Sequence, residues 1–455
     1  MINSQRKEVY IPIEIKPREF ISQLLLSAEL AKIGLRVYLG SKKSIDDLVE
    51  NKKNKQGTYL YKGGGGTINK FKKLSKLVSS IAVLDQEISP CLIDSGVTIK
   101  NRFVKGCLKY VSRLYYVGPE TKKKASEVLE DIDASLIKAY GWPRVDIWQP
   151  SLHHIWKDQI RDIKKKFPQP FLLFTSDFGC NSEKLLAERC LALEKRGRRK
   201  TAKDISWFKN LYRNHHKKYL EFINFLPLLD ADEDIPTIII RPHPSEDHSC
   251  WEEDVRHLSK IHVVYEGTIS PWILSSEGVL HRGCTSAIEA AISRKKFAIL
   301  SNFAIKNSGS IASVISTEIK SLDTLKIWLK QRYEEKIENS SFYPLLKDHI
   351  NFSNKKAAEE IAQDLSSLSG EKVFPSDLNI KKSTKSKIKI FFYKLKNKIF
   401  RKKDYVPKLP KKNKMQDGIK LLECKYFLEL IYPELFFSIH ETNKDLIKIE
   451  FNNLD

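Results

Sequence analysis

Apolar residues occur along the chain in short continuous runs, separated by longer segments in which they recur every three or four positions. The runs predict strands at 9–13, 36–39, 59–61, 81–84 and 114–117. Between the first two, Phe20, Leu24, Ala28 and Ala31 share one helical face over 19–33, and Gly34 supplies the C-terminal stop. A long charged helix is expected over 120–139. The pattern restarts with strands at 171–174, 237–240, 262–265, 278–280 and 297–300 and helices at 203–225 and 286–293, with 143–170 as the bridge. Strand and helix alternating in this way predict parallel, doubly wound sheets, one per block.

A chain of 455 residues exceeds one ordinary domain. The expected division is an N-terminal lobe over 1–150, a second lobe over 151–375 and a C-terminal extension over 376–455. Charge separates the extension from the rest. The whole chain carries +23, yet residues 381–414 hold fifteen Lys or Arg against one acidic residue, Asp404. Ile388, Phe391, Phe392, Leu395 and Ile399 repeat at helical spacing with lysines flanking them, which predicts an interfacial helix docking 381–403 on an acidic membrane surface. Basic residues gathered on a tail, without an aromatic-interleaved sheet face, argue against nucleic acid as the partner. Segment 419–437 is apolar enough to fold locally and suggests no function. Seven scattered cysteines without a Cys-x-x-Cys pair predict neither disulfides nor structural zinc. With a polar start and no apolar run of 18 residues, the expected location is the cytoplasm.

Ligands of open α/β sheets bind beyond the C-terminal ends of the strands, and the unusual residue clusters fall at such ends. Arg241-Pro242-His243-Pro244-Ser245-Glu246 follows one strand; two prolines would stiffen the exit and hold Arg241 and His243 outward toward a phosphate, or form a plain rigid turn. His281-Arg282-Gly283-Cys284-Thr285-Ser286 opens a helix, where Thr285 can meet an anion while Ser286 and Glu289 have capping-box spacing. Cys284 reads as a packing residue. Asp85-Gln86-Glu87 offers carboxylates for acid/base work, or an acidic turn. Gly141-Trp142-Pro143-Arg144-Val145-Asp146 reads as a hinge with Arg144 and Asp146 paired, or as a binding element. Gly63–Gly66 lacks the context of a phosphate loop. The pairs His153-His154 and His215-His216 lack metal-ligand spacing and are expected on solvated helix faces.

In this order, the motifs resemble the bacterial surface carbohydrate biosynthesis proteins, a family related to the GT-B transferases of 3-deoxy-D-manno-octulosonic acid (Kdo) and, more distantly, to bacterial sialyltransferases. Tyr10 to Glu19, with Glu14, Lys16 and Arg18 as cleft residues, looks like the family's first strand and loop. Asp85-Gln86-Glu87-Ile88, Gly141 to Asp146, Phe174-Thr175-Ser176-Asp177-Phe178, Arg241 to Glu246, Pro271-Trp272 and His281 to Ala290 look like its later motifs. The resemblance implies a metal-independent GT-B glycosyltransferase without a cofactor: two Rossmann-like lobes around a cleft, followed by the basic tail. It implies a donor site of Arg241, His243, Pro244, His281, Gly283, Thr285 and Ser286, with catalysis by Asp85, Glu87 or Asp177. The implied donor is CMP-Kdo or a related CMP-linked ulosonic acid, and the acceptor a glycan or lipid-linked glycan. Gln86 and Ile88 depart from the family's acidic motif. The alternatives are a CDP-polyol phosphotransferase and a non-catalytic scaffold of polysaccharide assembly.

Overall fold

The computed structural model describes residues 7–52, 56–64, 67–86, 96–195, 202–304, 309–331, 337–352, 355–368, 415 and 418–451. Glu87 and the expected interfacial helix lie outside the described residues.

Two sheets carry the fold. The first contains β1 (Glu8–Ile13), β2 (Arg36–Ser41), β3 (Thr58–Tyr61), β4 (Ser80–Leu84), β5 (Arg113–Tyr115) and β6 (Ile137–Lys138), all parallel. The second contains β7 (Phe171–Thr175), β8 (Thr237–Arg241), β9 (Ile261–Val263), β10 (Gly278–His281), β11 (Phe297–Leu300) and β12 (Thr317–Ile319), also parallel. The protein is thus the two-lobed α/β molecule that the alternation predicts. Alternate strand residues serve opposite faces: Val9, Ile11 and Ile13 join the core packed between the two sheets, whereas Tyr10, Tyr38, Tyr59 and Tyr61 join a separate core on the outer face of the first.

Three expectations are corrected. The helix foreseen over 120–139 stops early, as Pro119–Val128. Glu127, Glu130, Asp131 and Asp133 crowd its C-terminal end, where the helix dipole disfavours anions, and the Asp133 side chain accepts the Ser135 N–H at 2.7 Å, capping the short turn Ala134–Leu136 that follows. Second, the chain returns to the first lobe near 350. Helix Ala357–Ser367 packs on helix Lys16–Lys32, and its Asp364 accepts hydrogen bonds from Arg113 and Tyr115.

Third, residues 418–451 are built into the first lobe rather than standing apart. Helix Leu421–Ile431 packs on helix Lys16–Lys32. Behind it, β13 (Phe437–Asn443) and β14 (Leu446–Phe451) form a hairpin, and β14 pairs antiparallel with β2. The first sheet therefore has eight strands, ordered β13-β14-β2-β1-β3-β4-β5-β6; the second runs β12-β11-β10-β7-β8-β9.

Those orders reverse once in each sheet. In the first sheet β2 lies on one side of β1 and β3 on the other; in the second, β8 and β10 flank β7 in the same way. Each reversal opens a crevice at the C-terminal strand ends, between β1 and β3 and between β7 and β10.

Candidate functional site

At the second-lobe crevice, Glu246 organises the loops. Its buried carboxylate accepts the Ser176 hydroxyl, the Gly179 and His243 backbone N–H groups and the Trp251 indole N–H, at 2.7–3.2 Å. The exits of β7 and β8 are thereby tied to one charged group, and His243 is held between its prolines. The Ser245 backbone N–H donates to His243 Nδ1 at 3.2 Å, with the Ser245 hydroxyl 2.8 Å from the same nitrogen. A backbone amide can only donate, so the neutral ring carries its proton on Nε2. Pro244 is exposed beside it.

The His243 ring retains solvent access but is enclosed by the crevice walls. That enclosure lowers its pKa; Glu246 and Asp177 oppose the shift, while Arg18 and Arg189 reinforce it. Arg18 belongs to the first lobe, where its guanidinium reaches the Gln86 carbonyl at 3.5 Å. The two lobes therefore meet electrostatically at His243, across the cleft.

Asp177, at the β7 exit, has a side chain 31% exposed and accepts from Arg282 at 3.1 Å. Arg282 is buried: it donates to the carbonyls of Phe303 and Asp177, both at 2.9 Å, and lies over the Phe178 ring at 4.2 Å. His215 joins this group, its Nδ1 3.5 Å from Arg282, and burial lowers it to about 4, helped by Arg282. Placed on a solvated face by its spacing, His215 is instead brought to the crevice by the 30-residue helix Ala202–Ala231. His216 is buried between the Cys180 carbonyl and Glu183.

Several expected donor contacts turn elsewhere. Arg241 points inward: its guanidinium donates to the carbonyls of Glu266 at 2.7 Å and Gly267 at 3.1 Å, between the rings of Tyr265 and Trp272, and burial lowers it to about 10. His281 is wholly buried and pushed down to about 3; Nδ1 takes the Gly283 N–H at 2.9 Å and Nε2 meets the Ser316 hydroxyl at 2.8 Å. The capping box is not formed. Thr285 is the N-cap of helix Ser286–Ile292 without a side-chain cap bond, and the Ser286 hydroxyl lies 2.6 Å from Thr175 Oγ1. Glu289 takes the Ser270 hydroxyl instead, and burial raises it to about 7. Burial holds the Cys284 thiol up at about 11, a packing group rather than a thiolate.

In the first lobe, Asp85 is fully enclosed and bound bidentately by Arg102, at 2.7 and 3.2 Å, while the Trp142 indole donates to its backbone carbonyl. Gly63 packs over this pair with φ +66°, and a Cβ there would lie 2.5 Å from the Asp85 carboxylate. The tetraglycine thus has a packing role at Gly63 that its composition did not reveal. Arg144 and Asp146 do not form the expected pair. Asp146 caps helix Ala357–Ser367, accepting the N–H groups of Ala357 and Ala358 at 2.9 Å, and burial pushes it to about 7 against those donors. Arg144 lies over Trp142 and Trp148, close enough for its charge to act on Glu289 of the other lobe. Lys16 pairs with Glu423 at 2.6 Å.

Glu14 closes β1 at the first crevice, with its side chain 34% exposed. Burial would raise its pKa, but Lys42, Lys62 and Lys70 more than offset this and hold it below the ordinary value. Lys42 and Lys62 went unnoticed in the sequence, although each directly follows a strand, β2 and β3. Among the described residues, no three His, Cys, Asp or Glu side chains converge as metal ligands.

No protein-family model matches the chain. No curated protein matches it either. Among solved structures it is similar to UDP-GlcNAc 2-epimerase from Methanocaldococcus jannaschii, in complex with UDP-GlcNAc and UDP, at 13% identity and a TM-score of 0.48, over 79% of this chain and 99% of that one. The Neisseria meningitidis UDP-GlcNAc 2-epimerase, bound to UDP-GlcNAc, aligns at 12% identity and 0.44, over 80% and 100%. The wall teichoic acid polymerase TagF aligns at 8% and 0.45, over 79% and 88%.

Proposed function

We propose that this protein is a glycosyltransferase of surface polysaccharide synthesis, which binds a nucleotide-activated sugar at the β7–β10 crevice and its acceptor at the β1–β3 crevice. The observation that carries the reading is the fixed tautomer of His243: with Nδ1 occupied by the Ser245 N–H, the ring offers Nε2–H to a phosphate oxygen. The acceptor hydroxyl attacks the anomeric carbon, the bond from that carbon to the phosphate oxygen breaks, and the departing charge is met by His243. The acceptor's proton passes to a first-lobe carboxylate. Both Asp85 and Glu14 are ion-paired, but Asp85 is fully enclosed against Arg102 whereas the Glu14 side chain is 34% exposed at the crevice, so the role falls to Glu14. Asp177, coupled to Arg282, positions the donor side.

Within the nucleotide sugars, the reading favours a CMP-linked ulosonic acid such as CMP-Kdo. Arg241, Arg282 and Arg189 each donate to backbone carbonyls while Arg18 faces His243 from the first lobe, a cationic set suited to one phosphate rather than two. The basic segment 381–403 would hold the enzyme at an acidic membrane face; among the described residues, no helix is long and apolar enough to cross a membrane. A thermal-shift screen against CMP-, CDP-, UDP- and GDP-linked sugars tests the donor class, because a ligand that binds only the folded state raises its melting temperature. Stabilisation by a CMP-sugar supports the reading. A preference for UDP would overturn the donor while keeping the transferase, a preference for CDP would favour polyol-phosphate transfer, and no response to any of them would remove the enzyme reading.

A further inference from the structure

The β1–β3 crevice holds more charge than proton transfer requires. Lys42 begins the helix directly after β2, Lys62 directly follows β3, and Lys70 lies on helix Ile68–Leu74. The Lys42 and Lys70 ammonium groups both sit over one buried ring, that of Tyr61, at 5.9 and 5.3 Å from its centroid. Burial lowers the Lys70 pKa; Asp46 opposes this, and the adjacent Lys42 adds to it by like-charge repulsion. The acidic partners are already shared. Glu14 serves both Lys42 and Lys62, Glu19 spends one oxygen on the backbone N–H groups of Glu14 and Ile15 and the other on Lys62, and Asp46 pairs with Lys70 at 3.6 Å while also accepting the Tyr59 hydroxyl. Two converging cations at a crevice of this topology are relieved by an anion seated between them.

Resting on the transferase reading above, we infer that the acceptor is itself an anion, and that Lys42 and Lys70 grip its phosphate or carboxylate over the Tyr61 ring, with Lys62 beside Glu14 at the reacting hydroxyl. The site selects acidic glycans and disfavours neutral ones.

Lysine acetylation of the full chain, read by peptide mass spectrometry, tests this without knowledge of the natural acceptor. Inorganic phosphate and glucuronic acid serve as probes, and exposed Lys73 on the same helix is the internal control. At saturation, roughly tenfold slower labelling of Lys42 and Lys70 with Lys73 unchanged is expected, the strength of a charge-assisted hydrogen bond. Protection by phosphate alone assigns a phosphorylated acceptor, and protection by glucuronate alone a carboxylated one. Lys70→Gln should then abolish protection of Lys42 while nucleotide binding persists. Unaltered labelling with both probes overturns the inference even if nucleotides bind; failure of nucleotides to bind, with protection intact, counts against the transferase reading instead.

Discussion

Glu246 grips the Ser176 hydroxyl through both carboxylate oxygens, at 2.9 and 2.7 Å, joining the exit of β8 to that of β7. The same carboxylate accepts the His243 N–H, so the posture of the His243 loop is set by a buried charge beneath it. Glu246→Gln places an amide N–H₂ against donors. The expected cost is about 2–4 kcal/mol in urea unfolding, together with weaker nucleotide binding. Unchanged stability would show that the loops hold themselves.

Asp85 should prove structural. Asp85→Asn is expected to cost about 1–3 kcal/mol, because Arg102 is partly exposed and regains some hydration. The shape of the pH–rate profile should not move, whereas Glu14→Gln should remove its acidic limb. Gly63→Ala, forced into a left-handed backbone against the Asp85 carboxylate, should destabilise by about 1–3 kcal/mol in the same unfolding assay. Loss of the acidic limb in Asp85→Asn would return the proton-transfer role to that residue.

Glu289 makes stability depend on pH. Burial raises its folded-state pKa to about 7 from an ordinary 4.5, so the folded protein favours the protonated form. Its contribution is full below about 4.5 and is lost as pH rises to about 7. Glu289→Gln keeps a neutral side chain, so the variant should gain melting temperature relative to the parent across that interval and hold the gain above it. A constant difference between the two proteins would contradict the assignment.

The parallel strands were legible because buried strands read as short apolar runs, and a strand end pointed to His243, whereas Asp177 and Glu14 were marked only by the family resemblance. Side-chain direction was not legible. Arg241 stands only two residues before His243, yet its guanidinium turns inward, where two carbonyls and two rings receive it. Ser286 and Glu289 have capping-box spacing, yet Thr175 and Ser270, more than a dozen residues distant, compete successfully for them. Asp146 caps a helix that begins 211 residues later, and β14 joins β2 from the far end of the chain. Such partners come from tertiary folding, which local pattern does not encode.

Removal of 381–403 should release the protein from anionic vesicles in a sedimentation assay and leave binding to neutral vesicles unchanged, since electrostatic attraction supplies most of the affinity of a polybasic segment. Equal sedimentation of the shortened chain with anionic vesicles would end the membrane assignment.

Isothermal titration of CMP into the parent protein and His243→Ala tests most directly whether His243 binds the donor phosphate. The side chain is anchored by Ser245 and outside the hydrophobic cores, so the variant should fold and melt like the parent. Loss of a hydrogen bond to a charged phosphate predicts roughly ten- to hundredfold weaker binding. Equal affinity of the two proteins for CMP would remove His243 from the phosphate site.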